Sequence, residues 1–269
     1  MPDADAIAAE ADKALTANRQ IGPFSTRVSG FDNRAAYAVT RRLRALREAR
    51  CERPVGRKIG FTNRGIWPEY GVYEPIWGYM YDSTVHEVAP GTVVDLSHLP
   101  EPRIEPEIVL GLEADLEPDM SAADIAHAIG WVAHGFEIVQ SIFPDWQFSA
   151  ADCIADGGLH GALYLGPRQT VEPRDRAALP DRLAALTVTL SRDGSVVDSG
   201  TGSNALNGPI EALRHLVGVL ADDPENPPIM AGEMITTGTL THAFPVSPGQ
   251  RWSTAIGGFD LPGMDVTVA

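Results

Sequence analysis

The chain changes texture after Pro54, and this change constrains the fold more than any other feature of the sequence. From there onward, short runs rich in β-branched and aromatic residues alternate with Gly and Pro, a pattern typical of strands joined by turns. Residues 3–18 and 32–50, in contrast, carry apolar residues at helical spacing. The sequence therefore predicts an α+β protein, with a helical N-terminal arm at 1–54 and a β-rich domain at 55–269 that form a single structural unit.

Local signals predict individual elements in the second part of the chain. A capping box opens a helix over about 122–129, and an alternating run at 131–140 predicts a strand. The pair Asp193-Gly194 between two apolar runs indicates a hairpin, and Pro209 marks the first turn of a further helix.

The charge balance excludes several classes of function. Lys and Arg number 21 against 36 Asp and Glu, so the formal net charge is −15. That field repels nucleic-acid phosphates and anionic membranes, and the sequence has no apolar run long enough for a membrane span. Two cysteines, Cys51 and Cys153, are too few for a disulfide framework or a zinc site and favour a reducing compartment. We therefore expect a cytoplasmic protein with no nucleic-acid or membrane partner.

The segment RIEPEIVL, residues 103–110, carries two carboxylates at alternate positions. In a strand, Glu105 and Glu107 share one face, about 6 to 7 Å apart at their bases, and can converge on one cation. The alternative is an edge strand with a solvated acidic face, for which Pro106 is typical. The pattern indicates either a divalent-metal site or a solvated strand.

A third carboxylate lies on an apolar stripe. In residues 131–140, strand alternation aligns Glu137 with Trp131, Ala133 and Val139. A buried carboxylate without a partner is costly, so Glu137 must be protonated, paired with Arg or Lys, or bound to a metal. Three Glu oxygens suit Mg²⁺ or Mn²⁺, whereas zinc sites favour Cys and His ligands.

Lysine is rare in this chain, because the 21 basic residues include only Lys13 and Lys58. Lys58 lies between Gly56 and Gly60 in a strand-like run, where small neighbours allow a close approach. Near acids, a compact and titratable ammonium can orient a carboxylate, transfer a proton or form a Schiff base. Lys58 is therefore a candidate catalytic residue.

Two histidines lie close to these segments. His160 falls in the Gly-rich run DGGLHG, where a substrate can reach it, so it is a candidate acid or base. His134 lies on an apolar strand face and is expected to be a hydrogen-bonded core residue, and the lone Cys153 is expected to fill the core.

Five segments together resemble the fumarylacetoacetate hydrolase superfamily, in particular its 2-keto-4-pentenoate hydratase and 4-oxalocrotonate decarboxylase branch. They are GRKIGFT at 56–62, RIEPE at 103–107, FEIV at 136–139, DCIAD at 152–156 and AGEMITTGTLT at 231–241. The resemblance implies a mixed β-roll, a homo-oligomer and a small-molecule 2-oxo acid as substrate.

The resemblance also implies roles for individual residues. Lys58 and Asp82 would lie near the substrate, and Arg57 and Thr239 are expected to bind it. In the chemistry of this family, the metal chelates the carboxylate and 2-oxo group of the substrate and stabilises an enolate. That metal, Mg²⁺ or Mn²⁺, would be held by three carboxylates: Glu105, Glu107 and Glu137.

Two departures from the hydratase pattern concern the reaction. Hydratases of this group show Glu-x-x-Asp-Ser where this chain has Gln140-Ser141, and their Asn-Ala-Ser-Ser turn is replaced by residues 157–160. His160 would then replace a hydroxyl as acid or base. The resemblance favours hydration of a 2-hydroxy-2,4-dienoate in the catabolism of aromatic or cyclic compounds. A 2-oxo acid decarboxylase or C–C bond hydrolase on the same scaffold, or a non-catalytic binding homologue, are the alternatives.

Overall fold

The computed structural model describes residues 2–223 and 225–269, and helices form in the N-terminal arm where apolar periodicity predicts them. The side chains of Asp3 and Asp32 cap the first two helices. No helix in the described part of the chain has the length and apolarity that a membrane span requires. The α-helices are α1 (Ala4–Thr16), α2 (Asn33–Ala49), α3 (Trp67–Tyr70), α4 (Ala122–His127), α5 (Ala150–Ala155), α6 (Leu179–Ala185) and α7 (Pro209–Ala221).

Short strands dominate the rest of the chain, as the alternating runs predict. The predicted strand over 131–140, the hairpin at Asp193-Gly194 and the helix from Pro209 are all present. The strands are β1 (Pro54–Gly60), β2 (Ile76–Tyr81), β3 (Val85–Glu87), β4 (Thr92–Val94), β5 (Arg103–Leu112), β6 (Ile129–Val139), β7 (His160–Leu165), β8 (Gln169–Thr170), β9 (Thr187–Arg192), β10 (Ser195–Thr201), β11 (Met234–Thr236), β12 (Phe244–Pro245), β13 (Arg251–Gly257) and β14 (Asp265–Val268).

The strands form two sheets of mixed pairing. The larger sheet has the order β2-β1-β11-β5-β6-β7-β3, with β12 also on β5 and β8 also on β6. The smaller sheet has the order β10-β9-β13-β14-β4. Parallel pairs, such as β1 with β11 and β3 with β7, occur among antiparallel ones. This architecture confirms the expected α+β class and mixed β-roll.

Apolar side chains are buried between these layers. Phe136 and Ile138 of the larger sheet pack with Leu190 and Trp252 of the smaller one. Helices α4, α6 and α7 share a second apolar cluster with β5, and α1, α2 and α5 share a third. The helical arm therefore lies against the β-rich part through α5, which directly precedes β7.

Strand β5, which carries the first two glutamates, is an interior strand. On one side it pairs with β6, which places Glu105 opposite Glu137. On the other side, β12 pairs with β5 up to Ile104 and β11 pairs from Val109 onward. Pro106 falls in the gap between these two short strands, where no ladder hydrogen bond from its nitrogen is needed. The alternative of a solvated edge strand is therefore wrong.

Asp156, which follows α5, is a buried carboxyl group outside the glutamate cluster. Its Oδ1 accepts a hydrogen bond from the Gln140 amide at 3.1 Å, and its Oδ2 accepts one from Ile142 N at 3.1 Å. Burial raises the pKa of Asp156 well above its usual value. The stability that protonated Asp156 contributes is therefore fully present below the pKa that this carboxyl group has in the unfolded chain. It is lost as pH rises through the higher pKa that the group has in the folded protein.

We expect Asp156→Asn to gain stability relative to the wild type as pH rises, because the amide keeps an acceptor but cannot ionise. The difference in unfolding free energy should grow with a slope of up to about 1.4 kcal/mol per pH unit between the unfolded and folded pKa values. Urea unfolding of both proteins from about pH 5 to about pH 8 measures this slope. A difference that stays constant over that range would contradict a raised pKa for Asp156.

Candidate active site

Three buried glutamates meet on the larger sheet. Glu105 and Glu107 alternate along β5, and Glu137 lies opposite Glu105 on β6. One carboxylate oxygen of each lies within 4.8 Å of the others. Glu107 and Glu137 are fully buried, and Glu105 is 8% exposed. The structure thus brings together the three residues that strand alternation selects.

Lys58 supplies the ammonium of this cluster. Its Nζ lies 3.3 Å from Glu137 Oε2, and its side chain is buried. Strands β11 and β5 separate β1 from β6, which in a flat sheet would place them about 14 Å apart at about 4.8 Å per strand. The contact therefore requires the sheet to curl. Two glycines leave space for the Lys58 side chain. A Cβ on Gly60 would lie 3.2 Å from Lys58 Nζ, and one on Gly158 would lie 3.0 Å from Lys58 Cδ.

Burial and mutual proximity shift the pKa values of all four groups. Burial raises the pKa of Glu107 well above its usual value, and the neighbouring carboxylates raise it further. Burial also raises the pKa of Glu105 to about 7, although Lys58 opposes the shift. Burial disfavours ionised Glu137 as well, but Lys58 and a hydrogen bond from His160 outweigh it and hold its pKa below the usual value. Burial likewise disfavours the Lys58 ammonium, yet the three carboxylates keep its pKa above the usual value.

Two carboxylate oxygens of the cluster have no hydrogen-bond partner. Glu107 Oε1 and Glu137 Oε2 are buried without one among the described residues. Glu107 Oε2, in contrast, accepts a hydrogen bond from Gly238 N at 2.7 Å. Because unsatisfied buried oxygens are costly, this arrangement favours either a proton shared between Glu107 and Glu137 or a cation in addition to Lys58. A donor set made only of carboxylate oxygens fits Mg²⁺ or Mn²⁺.

His160 is bound on both ring nitrogens. Its Nδ1 lies 2.7 Å from Glu137 Oε1, and its Nε2 lies 2.9 Å from Thr84 Oγ1. Burial lowers the pKa of His160, although Glu137 opposes the shift. The residue begins β7 and is buried, which corrects the expectation of an open turn. His160 therefore joins the cluster as a partner of Glu137.

Arg57 lies on the opposite face of β1 from Lys58, because neighbouring residues of a strand point to opposite faces. Its guanidinium stacks over Trp77 and Tyr79 at 5.4 and 5.3 Å and pairs with Glu233, at 3.3 Å from Nε. The expected substrate-binding role of Arg57 is corrected accordingly, since its side chain points away from the three carboxylates.

Asp82 also lies outside the cluster. Its Oδ1 accepts a hydrogen bond from Arg53 N and its Oδ2 pairs with Arg53 Nε, both at 2.9 Å. These hydrogen bonds hold the pKa of Asp82 below its usual value. The carboxylate ties the turn after β2 to the residue before β1, and the expected role of Asp82 near the substrate stays a prediction. Thr239 is buried beside the cluster, one residue after Gly238, and its hydroxyl donates to Thr241 O at 3.0 Å.

A pocket opens beside Lys58 and Glu105, and apolar side chains form its wall. Arg103, on the same face of β5 as Glu105, stacks over the Trp146 ring at 4.4 Å, and its Nη1 donates to the Tyr70 hydroxyl at 2.6 Å. An ion pair also joins Arg103 Nη1 to Glu69 Oε1 at 3.5 Å. The wall residues are Phe61, Ile66, Tyr70, Val139, Trp146, Leu159 and Ala243.

Two residues of the site carry no local sequence signal that marks them. Gly238 places its N–H on Glu107 and has a φ of +94°, and a Cβ there would lie 1.8 Å from Thr62 Oγ1. The TTGT run around it signals a turn that requires glycine, but not the partner of its N–H. Thr84 lies 76 residues from His160 in sequence, so only the fold shows their contact.

Comparisons with known proteins agree with this geometry. The family model described as "Fumarylacetoacetate (FAA) hydrolase C-terminal" matches residues 72–264. A Comamonas testosteroni protein named 2-hydroxyhexa-2,4-dienoate hydratase is 32% identical over 247 residues, which cover 91% of this chain and 90% of that protein. A 4-oxalocrotonate decarboxylase from Pseudomonas sp is 34% identical over 217 residues, 80% of each chain.

A solved structure is similar to this chain over nearly its whole length. The 4-oxalocrotonate decarboxylase from Pseudomonas putida G7, complexed with magnesium and adipate, matches with a TM-score of 0.89 at 28% identity. The match covers 99% of this chain and 97% of that chain.

We expect Glu105→Gln to weaken Mn²⁺ binding by at least about tenfold, because loss of a direct ligand should exceed the loss of an outer partner. Glu113→Gln is the matched control: it lies directly after β5, is half exposed and pairs with Arg176 at the surface. Isothermal titration of Mn²⁺ into both variants and the wild type measures the effect. Equal affinities for Glu105→Gln and Glu113→Gln would contradict a metal site at the cluster.

Proposed function

The chain belongs to the fumarylacetoacetate hydrolase family, and we propose that it is a divalent-metal-dependent hydratase of this family. It would add water to a 2-hydroxy-2,4-dienoate in the catabolism of aromatic or cyclic compounds. The observation that carries the proposal is the buried cluster of Glu105, Glu107 and Glu137 around Lys58. A cytoplasmic, homo-oligomeric enzyme with no nucleic-acid or membrane partner is part of the same proposal, which the net charge of −15 and the family resemblance support.

The three glutamates would hold the metal, Mg²⁺ or Mn²⁺. The orphaned oxygens of Glu107 and Glu137 support this assignment, because a divalent cation would satisfy both of them. When bound, the ion supplies a Lewis acid that favours negative charge on the oxygen at C2 of the substrate. Three ionised carboxylates, one ammonium and one divalent ion also sum to zero charge, which favours the burial of the whole cluster.

Lys58 would act as the cation that faces both the cluster and the substrate. It borders the pocket, and its pKa lies above the usual value, so it holds a proton at neutral pH. A substrate carboxylate in the pocket would accept a charge-assisted hydrogen bond from its Nζ. In the reaction, the C2 hydroxyl loses a proton as C5 gains one, and water then adds its oxygen at C4 and a proton at C3. Lys58 would deliver one of these protons.

The pocket wall supports a substrate with an uncharged tail. Its side chains beyond Lys58 and Glu105 are apolar or aromatic. The nearby guanidinium of Arg103 is already engaged by the Trp146 ring, the Tyr70 hydroxyl and Glu69. A hydrocarbon tail would lose water on entering this pocket at little polar cost, whereas a second carboxylate would need a free cation.

Decarboxylation of a 2-oxo diacid is the second candidate. The 34% identity to a 4-oxalocrotonate decarboxylase and the similarity to a solved decarboxylase with bound adipate favour it. Both reactions develop negative charge on the C2 oxygen, so the cluster serves either one. A diacid would require Arg103 to leave Tyr70 and Glu69 and turn toward the distal carboxylate.

The test offers 2-hydroxypenta-2,4-dienoate to the purified protein with Mg²⁺ or Mn²⁺. We expect the ultraviolet absorbance of the conjugated acid to fall as a 4-hydroxy-2-oxo acid forms. Excess chelator should stop the reaction, and added metal should restore it. Undiminished turnover in excess chelator would contradict the metal role. Carbon dioxide release from 4-oxalocrotonate, with no hydration of the monoacid, would contradict the hydratase proposal.

We expect Lys58→Arg to lower turnover by at least about tenfold, because a guanidinium keeps the charge but is too basic and too bulky for the proton transfer. Lys13→Arg is the matched control, since it makes the same change at the other lysine of the chain, which is exposed on α1. Steady-state rates of the three proteins with the dienoate measure the effect. Wild-type turnover in Lys58→Arg would remove Lys58 from the mechanism.

A further inference from the structure

A chain of hydrogen bonds runs from the polypeptide backbone to the Glu137 carboxylate. Tyr81 N donates to Thr84 Oγ1 at 3.2 Å. Thr84 Oγ1 lies 2.9 Å from His160 Nε2, and His160 Nδ1 lies 2.7 Å from Glu137 Oε1. The turn that carries Thr84 is itself fixed, because Leu163 N of β7 donates to Thr84 O at 2.8 Å. Glu137 is thus connected to a rigid part of the fold on the side away from Lys58.

The chemistry of the groups sets the direction of these bonds. An ionised Glu137 has only acceptors, so the Nδ1 of His160 must carry the proton. A neutral imidazole then has an acceptor at Nε2, 2.9 Å from Thr84 Oγ1, and the Thr84 hydroxyl donates to it in place of its alternative acceptor, Tyr81 O at 3.1 Å. Thr84 Oγ1 can do so while it accepts from Tyr81 N, because a hydroxyl is both donor and acceptor. Each member of the chain is satisfied in this arrangement.

The chain acts on one oxygen of Glu137 and leaves the other open. His160 occupies Oε1, whereas Oε2 is the buried oxygen without a hydrogen bond and lies 3.3 Å from Lys58 Nζ. A carboxylate held in this way presents a single, defined oxygen to the other two glutamates. Without the bond to Oε1, rotation of the carboxylate would exchange the two oxygens.

We propose that Thr84 and His160 are positioning residues that hold Glu137 in the rotamer presenting Oε2 to the metal, and that they thereby set the metal affinity. The inference rests on the proposed function, because it assumes the metal site at the three glutamates. It gives His160 a role through Glu137 and none in proton transfer to the substrate. Both ring nitrogens are occupied, and His160 is absent from the wall of the pocket beside Lys58.

The fold contains a matched arrangement that serves as a control. His134 on β6 is also buried, with Nδ1 2.8 Å from Glu107 O and Nε2 2.8 Å from Thr254 Oγ1. The Thr254 hydroxyl also accepts a backbone N–H, from Met264 at 2.8 Å. The two histidines thus differ in what Nδ1 meets: a backbone carbonyl for His134 and a ligand carboxylate for His160.

The experiment measures Mn²⁺ affinity by titration with electron paramagnetic resonance, which detects the free ion independently of turnover. Thr84→Val should weaken binding about tenfold and His160→Leu about 10-fold to 100-fold, the range for outer partners of metal ligands. Thr84→Ser, which keeps the hydroxyl, and His160→Asn, which keeps a donor near Nδ1, should recover most of the affinity. Thr254→Val should bind Mn²⁺ as the wild type does, although it loses the same kind of hydrogen bonds.

The results separate the inference from the function on which it rests. Weaker binding in Thr84→Val together with unchanged binding in Thr254→Val supports the positioning role, and Thr84→Val decides the matter if His160→Leu fails to fold. Wild-type affinity in Thr84→Val and His160→Asn, or an equal loss in Thr254→Val, overturns the positioning role alone. A wild-type protein that binds no Mn²⁺ overturns the metal site and with it both proposals.

Discussion

The site depends on one electrostatic constraint: three carboxylates are buried against a single ammonium. Burial raises the pKa of Glu105 and Glu107, while Lys58 and His160 keep Glu137 ionised. Taking such charges out of water is costly unless their partners are well placed. The curl of the larger sheet, the small residues around Lys58 and the unsatisfied carboxylate oxygens all follow from bringing these groups together at a position suited to a divalent cation.

Three different parts of the fold hold these groups at fixed positions. Glu105 and Glu137 are direct neighbours across the β5–β6 pair, so their spacing is set by backbone register. The gap beside Pro106 admits the loop after β11, whose Gly238 N–H binds Glu107. On the far side of β6, β7 and the turn before β3 contribute the groups that hold Glu137.

Sequence reasoning identified the part of the site that follows from strand periodicity. Strand alternation was sufficient to select Glu105 and the carboxylate on the apolar stripe of β6 as candidate site residues. It also places Arg57 on the strand face opposite Lys58, a consequence that the predicted substrate-binding role of Arg57 did not take into account. Asp82 and His160 could not be assigned from local sequence, because their environments depend on Arg53 and Thr84 across the fold. Helix α6 follows a polar stretch and is only seven residues long; its buried leucines, Leu179 and Leu183, are one turn apart, and their packing in the apolar cluster shared with α4 and α7 stabilises it.

If a divalent cation balances this buried cluster, anomalous X-ray scattering from Mn²⁺-soaked crystals will locate it. We expect one strong peak between the carboxylates of Glu105, Glu107 and Glu137, at coordination distance from Glu137 Oε2, while Oε1 remains hydrogen-bonded to His160. A cluster that binds no manganese at saturating concentration, or a peak located elsewhere in the molecule, would contradict it.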